Sequence, residues 1–156
     1  MLFRSVVGVV AGPKADLAGI GKLRDALAAQ GAVLRVIASH GGELVKGLRK
    51  EIIERTLLTT RSIEYDALLI AGGAGDLADV KLTVLVQEAF RHAKPIGAWG
   101  DGVQALRTAG VDVTAPGVLL ADGMTAAYRK QLLAALGLHR VWERTPLVMA
   151  AAAPSA

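Results

Sequence analysis

The chain of 156 residues is long enough for one globular domain, and its 53% hydrophobic residues argue against disorder. Its formal net charge of +4 comes from 18 basic and 14 acidic residues that are scattered along the sequence, so we expect no nucleic-acid partner. The chain contains no cysteine, which excludes thiol catalysis, disulfides and thiolate metal sites.

The first third of the chain predicts one β–α–β unit. Residues 5–11 are apolar and β-branched, a pattern typical of a buried strand. Asp16 is placed to cap the following helix, in which apolar residues recur at three- and four-residue steps, and Gly31 closes it. Residues 33–38 predict the second strand, and the crossover between the two strands should be right-handed.

The apolar stretch at the N-terminus also gives information on the cellular location of the protein. About seven apolar residues follow Arg4, whereas a membrane-spanning helix needs roughly 20. The absence of cysteine fits a reducing compartment. We therefore expect a cytoplasmic protein with no membrane partner.

Residues 43–64 allow two interpretations, a helix or a short antiparallel hairpin, because charged residues alternate there with apolar ones. Thr56, Thr59 and Thr60 favour extended structure. The hairpin is therefore the favoured interpretation.

The second half of the chain repeats the pattern of a strand followed by a helix. Apolar runs predict three further strands, at residues 65–71, 95–99 and 118–120. Helical spacing predicts three further helices, at residues 80–92, 104–108 and 125–136.

This alternation predicts the α/β class: one doubly wound, flavodoxin-like and mostly parallel sheet, with helices on both faces and a small antiparallel hairpin insertion. We expect the domain to occupy residues 1–148 and the Ala-rich residues 149–156 to form a flexible tail.

A glycine-rich turn, Gly72-Gly73-Ala74-Gly75, follows the strand at residues 65–71. It lacks the G-x-G-x-x-G spacing of a dinucleotide site and the lysine of a P-loop. A flexible turn at the carboxyl edge of the sheet is the favoured interpretation, and a small anion held over Gly72, Gly73, Gly75, Gly100 and Asp101 is the alternative.

The sequence predicts no metal site. His40, His92 and His139 are the only imidazoles, and no two of them stand at the spacing of a metal-ligand pair. Asp76 and Asp79 flank the glycine-rich turn, where helix capping is favoured over weak cation binding.

The most informative stretch is the turn Trp99-Gly100-Asp101-Gly102, where a buried strand passes directly into a helix. Such a sharp turn holds the catalytic nucleophile in several α/β enzymes. Neither serine nor cysteine is present in it. We expect Gly100 to adopt the backbone conformation of such an elbow and Asp101 to cap the helix that follows.

Three segments carry a resemblance to a known family: YDALLIAGG, RHAKPIGAWGD and the closing HRVWERTP at residues 139–146. They are similar to the class I glutamine amidotransferase-like fold in its PfpI-type intracellular protease branch. Within that branch the chain most resembles the C-terminal domain of large-subunit haem catalases, over almost its whole length.

On this resemblance the catalytic positions of the protease branch are vacant. The elbow cysteine corresponds to Gly100, and the residue after it to Asp101. The acid expected after the first strand has only Asp16 nearby, and the direct correspondence falls at Gly19. A loop that carries histidine in some relatives has Ala115 or Pro116 in its place.

The resemblance implies a non-catalytic domain that binds no haem itself, because the surroundings of Tyr65 and Tyr128 do not match the haem-ligand motif. Haem and hydrogen peroxide decomposition would belong to the catalase core of the parent protein. The implied partners are that core, sister subunits of a homo-oligomer and unfolded client proteins of a chaperone-like activity.

Two alternatives stay open. The first is a divergent PfpI-type hydrolase or glyoxalase that uses Asp101, and the second is a ligand-binding module at the Gly100–Asp101 turn. The closing segment predicts an interface through His139, Arg140 and Trp142, because a large aromatic residue flanked by cations is a common interface anchor.

Overall fold

A parallel sheet of six strands forms the centre of the molecule in the computed structural model, which describes residues 5–77 and 79–138. In chain order, the strands are β1 (Val6–Val10), β2 (Val33–Ala38), β3 (Gly42–Lys46), β4 (Arg49–Ile53), β5 (Arg55–Thr56), β6 (Ala67–Ile70), β7 (Ile96–Trp99) and β8 (Val118–Ala121). The central sheet has the order β5-β2-β1-β6-β7-β8, and every pairing within it is parallel.

The order of this sheet decides where a binding site would lie. Without the two-residue β5, the strands follow the flavodoxin order, in which the chain first moves to one side of β1 and then continues on the other. The switch point therefore lies between β1 and β6. This arrangement confirms the predicted α/β class and mostly parallel sheet.

Helices cover both faces of the sheet. They are α1 (Leu17–Ala28), α2 (Val80–Arg91), α3 (Gly102–Thr108) and α4 (Ala126–Gly137). Side chains of α1 and α4 pack with Val7 and Val9 of β1 in one apolar cluster, whereas α2 and α3 pack with Val10 in the other. Since successive side chains of a strand point to opposite faces, the two clusters lie on opposite sides of the sheet. None of the helices within the described ranges is long and apolar enough to cross a bilayer.

The hairpin predicted within residues 43–64 is present as β3 and β4, which pair in antiparallel register from Gly42↔Ile53 to Lys46↔Arg49. Leu44 points into the core, and Arg24 of α1 forms an ion pair of 2.6 Å with Glu51 of β4. One part of the reasoning was wrong, because Thr59 and Thr60 lie outside any strand and only Thr56 belongs to one.

The hydroxyl of Thr60 explains part of this difference. It forms a hydrogen bond of 2.5 Å with the buried phenol of Tyr65. The backbone N–H of Thr60 donates to the carbonyl of Thr56, which closes a turn. A tertiary contact and a local turn therefore override the strand propensity of threonine.

Candidate functional site

The loops at the carboxyl edge of the sheet meet above the switch point between β1 and β6. The backbone N–H of Asp16, after β1, donates to the carbonyl of Gly72, after β6, at 2.8 Å. The backbone N–H of Gly100, after β7, donates to Ala121 at the end of β8, at 2.9 Å. This edge contains the elbow and the glycine-rich turn, which the sequence singled out.

Gly100 forms the tip of the elbow between β7 and α3. Its φ is 61°, in the left-handed region that favours glycine. A β-carbon at this position would lie 3.4 Å from the Cα of Gly72 and 3.6 Å from the carbonyl oxygen of Asp122, which are ordinary contacts. The backbone therefore has the φ sign of a nucleophile elbow and space for a small side chain, but glycine supplies no nucleophile.

Asp101 does not cap α3, so that prediction was wrong. Its side chain makes no capping hydrogen bond to the helix, which begins at Gly102. The carboxylate instead accepts a hydrogen bond of 2.5 Å from the backbone N–H of Gly73. This contact joins the elbow to the glycine-rich turn.

The glycine-rich turn is packed closely against its neighbours. A β-carbon on Gly73, whose φ is 88°, would overlap the carbonyl oxygen of Lys14. One on Gly75 would overlap the carbonyl oxygen of Asp101, and one on Gly72 would lie 3.3 Å from the indole of Trp99. Glycine is therefore required at positions 73 and 75 by the close approach of three loops, and no bound phosphate is needed to explain it. The small-anion hypothesis at Gly72, Gly73, Gly75, Gly100 and Asp101 stays a prediction.

Asp16 and Trp99 form a contact that the sequence did not indicate. The indole N–H of Trp99, which is 1% exposed, donates to one carboxylate oxygen of Asp16 at 3.0 Å. The other oxygen accepts from the backbone N–H of Gly19 at 3.0 Å, so Asp16 also caps α1 as predicted. The acid after the first strand therefore fixes the residue that precedes Gly100.

Tyr128 holds the strands beneath the elbow together. Its hydroxyl is placed to donate to the carbonyl oxygens of Ala98 in β7, at 3.1 Å, and Leu119 in β8, at 2.7 Å. Burial raises the pKa of Tyr128 well above its ordinary value. Burial also raises the pKa of Tyr65, against the opposing effect of its hydrogen bond to Thr60. Both phenols are neutral structural groups at physiological pH.

Metal-ligating residues do not cluster in the parts of the chain that the structure describes. No group of three or more His, Asp or Glu residues there has the geometry to hold a metal ion. His92 is the C-cap residue that follows α2, and Asp79 caps the other end of the helix by accepting from the backbone N–H of Lys81 at 2.8 Å. Capping by Asp79 agrees with the favoured interpretation.

The loop before β8 has its own local hydrogen bonds. Asp112 accepts from the backbone N–H and the hydroxyl of Thr114, and these bonds lower the pKa of Asp112. Ala115, one of two positions matched to the family histidine, is buried and has no side-chain acid or base function.

The arrangement therefore has the backbone of a catalytic elbow, and the carboxylates of Asp16 and Asp101 bind other parts of the protein. Asp16 and Asp101 both accept hydrogen bonds from protein donors. The predicted interface residues His139, Arg140 and Trp142 lie outside the described residues, as does the Ala-rich tail.

Comparison with known proteins agrees with the resemblance seen in the sequence. The family described as the C-terminal domain found in long catalases matches residues 5–146. The chain is similar to Catalase HPII of Mycobacterium avium, with 33% identity over 88% of this chain and 22% of that protein. It is also similar to Catalase-2 of Bacillus subtilis, with 30% identity over 77% of this chain and 18% of that protein.

A fungal catalase is also similar to this chain over a small part of its own length. Catalase B of Aspergillus fumigatus is 27% identical over 91% of this chain and 21% of its own length. The chain thus spans about a fifth of the length of these relatives. Since the family match covers nearly the whole chain, this protein belongs to the family of C-terminal domains found in long catalases.

Proposed function

We propose that this chain is the non-catalytic C-terminal domain of a large-subunit catalase, whose haem-containing core decomposes hydrogen peroxide. The observation that carries the proposal is the family match over residues 5–146. The matched relatives are catalases about five times as long as the matched region, which leaves room for a separate catalytic core.

The elbow supports a domain without its own chemistry. Position 100 has no side chain to act as a nucleophile, and the carboxylate of Asp101 accepts a hydrogen bond from Gly73. A catalytic group acts through a set of partners, and the carboxylates of Asp16 and Asp101 near Gly100 are already bonded to the protein.

The tyrosines of the described region do not fit haem. Haem iron in catalase is ligated by a tyrosine oxygen. The hydroxyl of Tyr65 bonds to Thr60, that of Tyr128 bonds to two backbone carbonyls, and both residues are 2% exposed. Neither oxygen can reach an iron atom without unpacking the core, so we place haem in the remainder of the parent protein.

We further propose that the domain supports folding and stability of the catalase oligomer. Its surface exposes large apolar side chains that a partner would cover. One group lies on the hairpin, at Val45, Leu48 and Ile52, and another lies beside the first turns of α2, at Leu58, Val80 and Val84. Catalase core and sister subunits are the proposed partners. The same surfaces support a proposed chaperone-like activity toward unfolded clients.

Deletion of this domain from the long catalase that carries it tests the proposal. We expect unchanged haem content and unchanged turnover per haem in the deletion variant, with faster loss of activity on heating. A fall in turnover per haem, with stability unchanged, would contradict it. Absence of a catalase core upstream of this segment in the gene would also overturn the proposal.

Two assays on the isolated chain separate the remaining options. Protection of a heat-aggregating client, compared with an equal mass of serum albumin, tests the chaperone-like activity. Turnover of methylglyoxal or a peptide would favour the hydrolase or glyoxalase alternative.

A further inference from the structure

A cavity of about 180 Å³ lies beside the carboxyl ends of β1 and β2, under the hairpin. Small and aliphatic residues form most of its lining: Ala11, Gly12, Ala38, Leu44, Ile53 and Leu77. Leu44 belongs to the apolar cluster on one face of the sheet, whereas Leu77 packs against the cluster on the other face. The cavity therefore opens where the two halves of the core meet at the end of the sheet.

The polar side chains of the lining come from the loop after β2 and from one residue of β3. Ser39, His40 and Glu43 contribute it, and both Ser39 and His40 follow β2 directly. Within the described residues, the side chains of Ser39 and His40 have no hydrogen-bond partner, and Glu43 contacts Lys50 only at 4.0 Å. His40 and Glu43 are exposed, so this side of the cavity faces solvent, and its hydrogen-bonding groups are open to a ligand that enters from there.

We propose that this cavity is a binding site for a small, uncharged ring compound that carries one hydroxyl or N–H group. A cavity of about 150 Å³ lined by aliphatic and aromatic side chains is large enough to hold benzene, and this cavity is slightly larger. The apolar lining would bury the ring, and Ser39, His40 and Glu43 would bind its polar group. Mostly apolar lining with a few polar groups is the usual composition of a small-molecule site.

The site is separate from the elbow. The elbow follows β7, whereas the cavity lies on the other side of the switch point, next to β2. At the switch point itself the loops after β1 and β6 are in direct contact, through the hydrogen bond from Asp16 to Gly72 and the close approach of Gly73 to Lys14. Ligand binding in the cavity consequently makes no use of Gly100 or Asp101.

Phenol is the probe, and two glycine variants test the position of binding. A β-carbon at Gly12 would meet only the Cδ1 of Leu77, at 3.5 Å, within ordinary contact distance. Gly12→Val therefore places a side chain beside Leu77, in the space proposed for the ring, without a backbone clash. Gly123 also has an open position, with nothing within 4 Å, and does not line the cavity. Gly123→Val is the matched control.

Titration of phenol into the isotope-labelled chain, followed by NMR, measures both affinity and location. We expect saturable binding in the millimolar range, with shift changes at Gly12, Ala38 and Leu77. Gly12→Val should weaken binding by about tenfold or more, and Gly123→Val should leave it unchanged. Benzene should bind more weakly than phenol to the unmodified chain, because it offers no group to the polar side of the cavity.

A second variant keeps the test decisive if Gly12→Val does not fold. Leu77→Ala enlarges the cavity and should allow 2-naphthol to bind where the unmodified chain excludes it. Phenol that does not saturate, shift changes remote from the cavity, or equal effects of the two glycine variants would each overturn the proposal. Failure of this site leaves the proposed catalase function untouched, because the two rest on different observations.

Discussion

Removal of the Asp16 carboxylate provides the sharpest test of how the elbow is held in place. In Asp16→Ala, α1 loses its N-cap, which costs about 1 kcal/mol of stability. The indole N–H of Trp99 also loses its acceptor, and at 1% exposure this residue has little access to water. A buried donor without a partner costs about 1–3 kcal/mol, so the total loss should be about 2–4 kcal/mol.

Asp79→Ala is the matched control, because Asp79 also caps a helix of 12 residues with its side chain but has only that one role in the structure. Its loss should cost about 1 kcal/mol. Urea unfolding followed by far-ultraviolet circular dichroism gives both free energies of unfolding without relying on tryptophan fluorescence.

A double-mutant cycle then isolates the contact with Trp99. In the Trp99→Phe background no indole N–H remains, so Asp16→Ala should cost only the cap, about 1 kcal/mol. Equal losses for Asp16→Ala and Asp79→Ala in the unmodified chain, or no coupling in the cycle, would refute the reasoning. The elbow would then be held by its other contacts, which include the hydrogen bonds between Gly73 and Asp101 and between Gly100 and Ala121.

Three further predictions concern other parts of the chain. Gly100→Cys should not create appreciable turnover of methylglyoxal or peptides, because restoring one member of a catalytic set adds little; robust turnover would reveal an overlooked partner. Burial raises the pKa of Tyr128 above its ordinary value of 10.0. The neutral phenol therefore stabilises the fold fully below this ordinary value, and the stabilisation is lost as the pH rises from there towards the raised pKa. Urea midpoints should therefore fall above a pH of about 10, less steeply in Tyr128→Phe; an equal slope in both proteins would count against this. Trp142→Ala should lower the free energy of unfolding by less than about 1 kcal/mol and weaken self-association in sedimentation; a loss of several kcal/mol with association unchanged would place Trp142 in the core.

Local patterns in the sequence were sufficient to predict the α/β class and most elements. The apolar run at residues 65–71 became β6, and the helical spacing after Asp16 became α1. Both depend on side-chain periodicity within a few residues, which the sequence displays directly. The chain reversal at Gly100 was equally visible, because glycine follows a buried strand without any intervening loop.

Contacts between loops were not predictable in the same way. Asp16 and Trp99 are separated by 83 positions, and Gly73 and Asp101 by 28. Their meeting depends on which strands are neighbours and on how far each loop extends beyond the sheet. The sequence neighbours of Asp101 predicted a helix cap, but its carboxylate instead accepts a hydrogen bond from Gly73 in the neighbouring loop. The signal for Asp16 was its place after the first strand, at the same edge as the elbow.

We propose, as the central point, that this chain is part of a catalase subunit but performs no haem chemistry itself. Expression of the chain with haem supplied, followed by its absorption spectrum and a peroxide decomposition assay, tests this most directly. The account predicts no Soret band from bound haem and no loss of peroxide beyond that in buffer. A stoichiometric Soret band accompanied by peroxide decomposition would contradict it.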